Sequence, residues 1–172
     1  MKNNINIRFI IILILVILVT VIITGYFRKR YISFLPTIPV YPNSYTEVKK
    51  VQEQVSTITP SDIEFYKLTD PSIKNAFLPY VNETREELID IIIRVSPIIK
   101  FFKYTINRPR PKQINPQLIV LESTTAHTPA YPAGHALQAY YLSKVLSKRY
   151  PDKKEQFDNI AKRCDLVRVK AG

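Results

Sequence analysis

The chain begins with a long apolar run that differs from everything after it. Residues Phe9 to Thr24 are all apolar except for two threonines, with Arg8 before the run and Arg28 shortly after it. An apolar helix with aromatic and basic ends is typical of a membrane span, which needs about 17–25 residues. The pattern therefore predicts one N-terminal transmembrane helix within residues 1–30. The alternative is a cleaved signal peptide, but no A-x-A-like cleavage site follows the run.

The basic residues beside this run predict its orientation. Lys2 and Arg8 precede it, whereas Arg28, Lys29 and Arg30 follow it. Because positively charged flanks favour the cytoplasmic side of a membrane, the pattern predicts a single-pass membrane protein whose main domain is cytoplasmic.

Proline marks the next segment of the chain. Residues 31–61 contain Pro36, Pro39, Pro42 and Pro60 among polar side chains. Proline removes a backbone donor and fixes the backbone, so this composition predicts an extended tether between the anchor and the rest of the chain.

Residues 62–172 carry apolar side chains at helical spacing, which predicts a folded helical domain. The clearest helix runs from Glu83 to Lys103, and Pro97 should kink it or split it in two. Its apolar stripe, which should face the core, consists of Leu88, Ile91, Ile92, Val95, Ile99 and Phe102.

Two more helices are predicted further along. One runs from about Gly134 to Lys148 and should be central, because apolar residues occupy much of its circumference. The other runs from about Lys154 to Val169 and has an apolar stripe that includes Cys164. The only strand candidate, Leu118–Leu121, is short, so the predicted fold class is an all-α helical bundle.

The net charge of +11 narrows the range of partners. The sequence contains no groove-reading motif, zinc pattern or basic heptad region, which argues against a nucleic-acid partner. Attraction to anionic lipid head groups or to phosphorylated substrates explains the charge more simply. The single cysteine, Cys164, excludes an internal disulfide.

A short turn sequence, Pro132-Ala133-Gly134-His135, carries the first candidate chemistry. Glycine lets the backbone approach a ligand closely, and His135 falls in the first turn of the following helix. Helix N-termini bind anions through free N–H groups, and a histidine there can give a proton to a leaving oxygen. The alternative is a structural turn in which His135 caps the helix. His127, the other histidine, is predicted to lie on a surface loop.

A basic segment upstream supplies matching cations. Lys103 lies at the end of a predicted helix, and Arg110 lies between two prolines that restrict the backbone around it. A lysine and an arginine hold a tetrahedral oxyanion in complementary ways, as a point charge and as a planar fork. For the neighbouring Arg108 and Lys112 we predict solvated positions instead.

These residues, taken in order, are similar to a known set of motifs. Lys103-x6-Arg110-Pro111, then Pro132-Ala133-Gly134-His135, then Arg168 resemble the three signatures of the type 2 phosphatidic acid phosphatase and vanadium haloperoxidase superfamily. Those signatures are written K-x6-R-P, P-S-G-H and S-R-x5-H-x3-D. The resemblance covers about residues 62–172, and two ordered motifs with part of a third are far more specific than any one alone.

The resemblance implies a helical bundle of the acid phosphatase type and a mechanism without metal or other cofactor. In that mechanism Lys103, Arg110 and Arg168 hold the phosphate oxygens, and the Gly134 amide adds a hydrogen bond. His135 protonates the leaving alcohol. The histidine of the third motif attacks phosphorus and forms a phosphohistidine that water then hydrolyses.

The sequence departs from the family pattern in three places. Ala133 and Val167 stand where the family has serine. Counted on from Arg168, the expected nucleophilic histidine would lie two positions past Gly172, and its orienting aspartate four positions further on. We therefore expect this sequence to be a fragment of an active enzyme, interrupted inside the third motif.

Three functions are compatible with these features. The first is a membrane-anchored phosphatase of phosphate monoesters, with lipid phosphates favoured because the anchor holds the domain at a membrane. The second is a haloperoxidase that would need vanadate as its cofactor, although the small size of the domain argues against it. The third is a catalytically inactive anion-binding protein, which the missing nucleophile, Ala133 and Val167 support.

Overall fold

A computed structural model describes residues 7–27 and 43–172, and within these ranges it contains helices and no strand. The predicted all-α fold class is therefore confirmed. The chain divides into two units, Met1–Arg30 and Tyr31–Gly172, which are described separately below.

The described part of the first unit is a single helix, α1 (Ile7–Phe27). The side chains of Ile7 and of residues 9–20 are exposed. Taking the described residues together, no helix combines the length and the apolar character needed to cross a membrane. Lys2, Arg28, Lys29 and Arg30, on which the predicted orientation rests, lie outside the described residues, as do residues 31–42 of the predicted tether and the side chain of Arg8.

The second unit contains eight α-helices within residues 43–172, joined by loops and two 3₁₀ turns. In chain order they are α2 (Ser44–Ser56), α3 (Pro60–Thr69), α4 (Lys74–Phe77), the 3₁₀ turn Leu78–Tyr80, α5 (Arg85–Ile93), α6 (Ser96–Ile106), α7 (Pro111–Ile114), α8 (Gly134–Arg149), the 3₁₀ turn Pro151–Lys153 and α9 (Lys154–Lys170).

Helices α8 and α9 form the centre of this unit. The short 3₁₀ turn between them makes them antiparallel neighbours, and α8 also packs against α5 and α6. Leu142 and Leu146 of α8 and Phe157 of α9 are fully buried, so α8 occupies the central position predicted for it. Cys164 is a core residue, as its place on the apolar stripe suggests, and burial raises the pKa of its thiol to about 12.

The predicted break at Pro97 is confirmed. Helix α5 ends at Ile93, and α6 begins at Ser96 with Pro97 in its first turn, where proline is tolerated. The prediction that Phe102 faces the core is wrong, because its side chain is 45% exposed. The buried residues of α6 are Ile99 and Lys103, four residues apart and four after the buried capping residue Val95, and Phe102 lies off that face.

The prediction of an extended tether is corrected for residues 44–56, which form helix α2. Asn43 caps this helix through its side-chain oxygen, which accepts from the Tyr45 N–H at 2.8 Å. The helix packs against α7 and α9. Its physical basis is visible in the sequence, since the prolines of the segment lie before or after 44–56 and none lies within it.

The strand candidate at 118–121 forms no strand. Leu118 is buried, Ile119 is exposed, and the Leu121 N–H donates to the Ala171 carbonyl at 2.9 Å. This segment therefore pairs locally with the turn that follows α9, rather than with another extended segment.

Candidate functional site

The predicted site residues meet at one end of the helical unit. Because α8 and α9 are antiparallel, the start of α8 with His135 lies beside the end of α9 with Arg168. The end of α6 brings Lys103 to the same place, and the following loop brings Arg110. Shared neighbours show this proximity: Lys103 and Arg110 donate to the successive carbonyls of Pro129 and Thr128, and His135 and Arg168 both contact Asp70.

Lys103 is a buried lysine in the last turn of α6. Its Nζ donates a hydrogen bond to the Pro129 carbonyl. Burial, followed by the charge of Arg110, lowers the pKa of Lys103 to about 7. Desolvation disfavours the charged form of a lysine, so this ammonium is held at an electrostatic cost.

A left-handed turn brings Arg110 back beside Lys103. Asn107 ends α6 with φ 49°, a conformation that asparagine tolerates better than most residues, and its N–H donates to the Lys103 carbonyl at 2.8 Å. Arg110 Nε then donates to the Thr128 carbonyl at 2.8 Å, and Nη2 to Thr128 Oγ1 at 3.3 Å. Burial is the main cause that lowers the pKa of Arg110. The first motif is thereby joined to the loop that precedes α8.

Arg168 is held by partners that the sequence did not reveal. Its Nη1 donates to Asp70 Oδ1 at 2.6 Å, and its guanidinium carbon lies 4.6 Å from the centre of the Tyr66 ring. Its Nε is buried and has no hydrogen-bond acceptor within the described residues. The guanidinium therefore keeps its Nε donor, which no group in residues 7–27 and 43–172 accepts.

Asp70 connects three parts of the site. It follows the last residue of α3, accepts from Ser123 Oγ at 2.8 Å, and pairs with Arg168. Burial acts to raise the pKa of Asp70, but the hydrogen bonds from Arg168 and Ser123 outweigh it and hold the pKa below its usual value. No periodicity or motif marks Asp70 in the sequence, so only the folded chain identifies it.

His135 lies in the first turn of α8, and its side chain contacts the backbone carbonyl of Asp70. Its Nε2 is 3.0 Å from the Asp70 carbonyl oxygen. A carbonyl only accepts hydrogen bonds, so Nε2 carries the proton in this arrangement. Burial, followed by the charge of Arg168, lowers the pKa of His135 to about 4. The imidazole is therefore neutral at neutral pH.

The start of α8 leaves backbone donors at the site. The first helical bond of α8 runs from the Leu137 N–H to the Ala133 carbonyl, at 3.0 Å, so the N–H groups of Gly134 to Ala136 have no intrahelical acceptor. A Cβ added to Gly134 would lie 3.5 Å from Ile99 Cγ2 and 3.6 Å from Lys103 Cε, which are ordinary contacts. Packing within the protein therefore does not require glycine here.

Ala133 occupies the capping position of α8 and forms no side-chain cap. We expect Ala133→Ser, which introduces a hydroxyl at the capping position, to raise the free energy of unfolding by about 1 kcal/mol, because serine at this position accepts from the free N–H groups. Urea denaturation would measure the change. Ala126→Ser, the same substitution in the preceding loop, serves as the control. An equal effect of both substitutions would contradict the capping assignment.

Other candidate residues lie at the edge of the site. The prediction of a solvated Arg108 is wrong: its side chain is 11% exposed, and it donates to Ser44 Oγ at 2.9 Å and to Glu47 Oε2 at 3.1 Å. Sequence alone could not show this pairing, since α2 was not predicted. Lys112 is exposed as predicted, and His127 is also exposed, in the loop before α8.

The arrangement concentrates positive charge. Lys103, Arg110 and Arg168 contribute three cationic groups, and Asp70 contributes one carboxylate. Free backbone donors and the positive end of the α8 dipole lie beside them. Such a set of donors matches a tetrahedral oxyanion with two negative charges. Across residues 7–27 and 43–172, no group of three His, Cys, Asp or Glu side chains is arranged to hold a metal ion.

No protein family, curated protein or solved structure matches this chain.

Proposed function

We propose that this chain binds the phosphate group of a phosphate monoester at the end of the helical unit formed by α3, α6, α8 and α9. The observation that carries the proposal is the convergence of Lys103, Arg110 and Arg168 near the first turn of α8, through their contacts with the loop before α8 and with Asp70. On this reading the helices form a bundle of the acid phosphatase type, and the activity is that of a phosphatase.

The three cationic side chains bind the phosphate oxygens in two different ways. Lys103 offers a point charge, and Arg110 and Arg168 offer planar donors. The buried Nε of Arg168 has no acceptor in the part of the chain that the structure describes. The Gly134 N–H adds a donor from the helix end. Charge stabilisation by fixed donors is usually the largest contribution to acyl and phosphoryl transfer, and it requires no metal ion when the protein supplies the cations.

His135 is the proposed proton donor to the leaving alcohol. Without an anion its pKa is about 4, which leaves the imidazole neutral. A phosphate dianion beside it favours the imidazolium form and so raises that pKa toward the range a general acid needs. The proton then passes from the imidazolium to the leaving alkoxide oxygen. Attack on phosphorus is assigned to the histidine of the third motif, which is not among residues 1–172.

The membrane is part of the same proposal. The apolar run within residues 1–30, with basic residues on both sides of it, would anchor the chain in a bilayer. The helical unit would then lie on the cytoplasmic side. An anchored domain meets lipid phosphates at high local concentration, which favours them as substrates over soluble monoesters.

A second function is supported by specific observations. Ala133 and Val167 lack the hydroxyls of the family motifs, Val167 is fully buried in the core, and the Nε2 proton of His135 is already bonded to the Asp70 carbonyl. These features suit a protein that binds a phosphate group without hydrolysing its ester.

Binding of inorganic phosphate tests what the two functions share. We expect Arg110→Ala to weaken phosphate binding about 10- to 100-fold, the range for losing charge-assisted hydrogen bonds at a partly buried site. Titration calorimetry on the full chain would measure it. Lys112→Ala removes the same charge from an exposed position two residues away and should leave the affinity nearly unchanged. Equal losses in the two variants would contradict the proposed site.

Hydrolysis separates the two functions. The substrates are para-nitrophenyl phosphate and phosphatidic acid, without added metal. Release of phosphate that Arg110→Ala abolishes and Lys112→Ala preserves would support the phosphatase and exclude the inactive binding protein. Because the attacking histidine of the third motif is not among residues 1–172, this chain is compared with a version that includes a complete third motif. Hydrolysis by the longer version alone would support the phosphatase, whereas phosphate binding by both without hydrolysis would support the second function.

A further inference from the structure

The outer face of α5 and α6 is apolar and exposed. Ile93 is 55% exposed, Ile98 53%, Phe101 57% and Phe102 45%. The two phenylalanine rings contact each other edge to face, with centres 5.4 Å apart. Large apolar side chains clustered on one helix face, rather than scattered singly, are typical of an interaction surface. We call Ile93, Ile98, Phe101 and Phe102 the outer patch.

The outer patch and the anion site lie on adjacent faces of one helix, because successive residues of an α-helix point about 100° apart. Lys103 and Ile99 are buried against α8, whereas Phe102, the residue before Lys103, points outward. A surface that the outer patch binds therefore comes within one helix diameter, about 10 Å, of the proposed phosphate site.

The charges beside the α6 part of the outer patch are basic, whereas Asp90 lies one helical turn before Ile93 on the α5 part. Arg94 and Lys100 are exposed beside it, one between α5 and α6 and one on α6. The acidic residues of α5, Glu86, Glu87 and Asp90, precede the patch along that helix, and Glu87 accepts from the Thr84 N–H at 2.8 Å to cap it. Apolar and aromatic side chains with basic neighbours are complementary to an anionic lipid surface.

The length of the chain between the two units keeps such a surface within reach. Residues 28–42 separate α1 from α2, and a chain of that length spans at most about 50 Å. If the apolar run is anchored in a bilayer, the helical unit cannot move further from it than this.

We propose that the outer patch docks on the surface of an anionic phospholipid bilayer and holds the end of α6 with Lys103 at the level of the head groups. This proposal rests on the membrane anchor of the proposed function and deepens it, since docking there brings lipid phosphates to the anion site. Phe101, Phe102 and Ile98 enter the interfacial region, and Arg94 and Lys100 contact the anionic head groups.

Fluorescence quenching tests the docking directly, because the chain has no tryptophan. Phe101→Trp places a single reporter in the outer patch, and Tyr140→Trp places one at an exposed position on α8 as the matched control. Each full chain is reconstituted in vesicles of phosphatidylcholine and phosphatidylglycerol whose acyl chains are brominated near the head group. Emission from the Phe101→Trp protein should be quenched, and emission from the Tyr140→Trp protein should not.

Two results would overturn the docking. In the first, neither protein loses emission when brominated vesicles replace ordinary ones, and iodide in solution quenches both reporters. The other is a Phe101→Trp reporter that is shielded from iodide but not quenched by brominated lipid, which would mean that a protein surface, such as a second copy, covers the outer patch.

The charge contribution has its own test. A basic residue near an anionic surface strengthens the interaction about fivefold, so Lys100→Gln in the Phe101→Trp background should reduce the quenching in anionic vesicles and have little effect in purely neutral ones. Quenching that is the same in anionic and neutral vesicles would contradict the head-group contacts.

These measurements need no hydrolysis, so the two proposals fail separately. Phosphate binding is measured on the same proteins. Lost quenching with intact phosphate binding would overturn the docking alone, whereas intact quenching with no phosphate binding would overturn the proposed chemistry alone.

Discussion

Asp70→Ala is expected to lower the free energy of unfolding by about 3–5 kcal/mol at neutral pH, the range for removing one partner of a buried ion pair. The Arg168–Asp70 contact is 2.6 Å long, and the two side chains are 13% and 12% exposed. Without Asp70, the guanidinium of Arg168 is a buried charge without a carboxylate, and Ser123 Oγ loses its acceptor. Urea denaturation followed by helical circular dichroism would measure the loss.

Asp90→Ala is the control for this prediction, because it removes the same side chain from an exposed position on α5 and should change stability by no more than about 0.5 kcal/mol. A loss below about 1 kcal/mol in Asp70→Ala would show that the pair contributes no more than an exposed one.

The pH dependence gives a second check on Asp70. The pKa of Asp70 is lower in the folded protein than in the unfolded chain, so the folded state binds fewer protons at pH values between the two. The stability that ionised Asp70 contributes is present above its unfolded pKa and is lost as the pH falls through the folded pKa. The difference between the parent protein and Asp70→Ala should therefore shrink in acid and remain constant above mildly acidic pH.

The helices that carry the site were predictable because their signals are local and periodic. Apolar residues at intervals of three and four residues predict α8 and α9, and Pro97 predicts the division between α5 and α6. Loop residues of unusual type, such as the prolines around Arg110, indicate where the chain turns. The four predicted side chains, Lys103, Arg110, His135 and Arg168, do meet at one end of the unit.

The partners of those side chains could not be predicted, because they come from distant parts of the sequence. Asp70 and Arg168 are nearly a hundred residues apart, and Arg108 and Glu47 are about sixty apart. An aspartate after a helix and a glutamate in a polar segment look like ordinary solvated residues in the sequence. Only packing gives them a charged neighbour.

Burial also reverses what the residue types suggest about protonation. A histidine beside a helix N-terminus suggests a ready proton donor, yet desolvation and Arg168 hold the pKa of His135 at about 4. Degree of burial depends on the elements packed around a residue, here α3 and α9 as well as α8. We therefore expect protonation of His135 to depend on a bound anion, a dependence that the motif alone does not contain.

Lys103→Met is expected to raise stability while weakening phosphate binding. Burial, followed by repulsion from Arg110, lowers the pKa of Lys103 from 10.5 to about 7, which corresponds to a cost of roughly 4–5 kcal/mol for the charged form. Methionine has a similar length and no charge to desolvate. It leaves the Pro129 carbonyl without its donor, a loss of about 1–2 kcal/mol, so the net gain at neutral pH should be about 2 kcal/mol or more. Thermal and urea denaturation would measure it.

The sign of the pH effect follows from the lowered pKa. Between about pH 7 and 10.5, unfolded Lys103 is protonated while folded Lys103 is largely neutral, so the parent protein gains stability as pH rises through this window. The advantage of Lys103→Met should therefore decline over the same range. An advantage that is independent of pH would show that packing, rather than the buried charge, stabilises the variant.

The same lysine should couple anion binding to proton uptake. A bound dianion favours the ammonium form, so binding of sulfate, which does not itself titrate here, should take up about one proton per anion at mildly alkaline pH. Calorimetry in buffers of different ionisation enthalpy would count the proton in the parent protein.

Lys103→Met should bind sulfate and phosphate at least about tenfold more weakly, because it lacks a charge-assisted hydrogen bond, and whatever binding remains should take up no proton. Uptake that persists in Lys103→Met would place the titrating group elsewhere, with His135 as the next candidate. Proton uptake seen only in the parent protein would identify Lys103 as the group that gains the proton. The bound anion would then compensate the same charge whose burial destabilises the free protein.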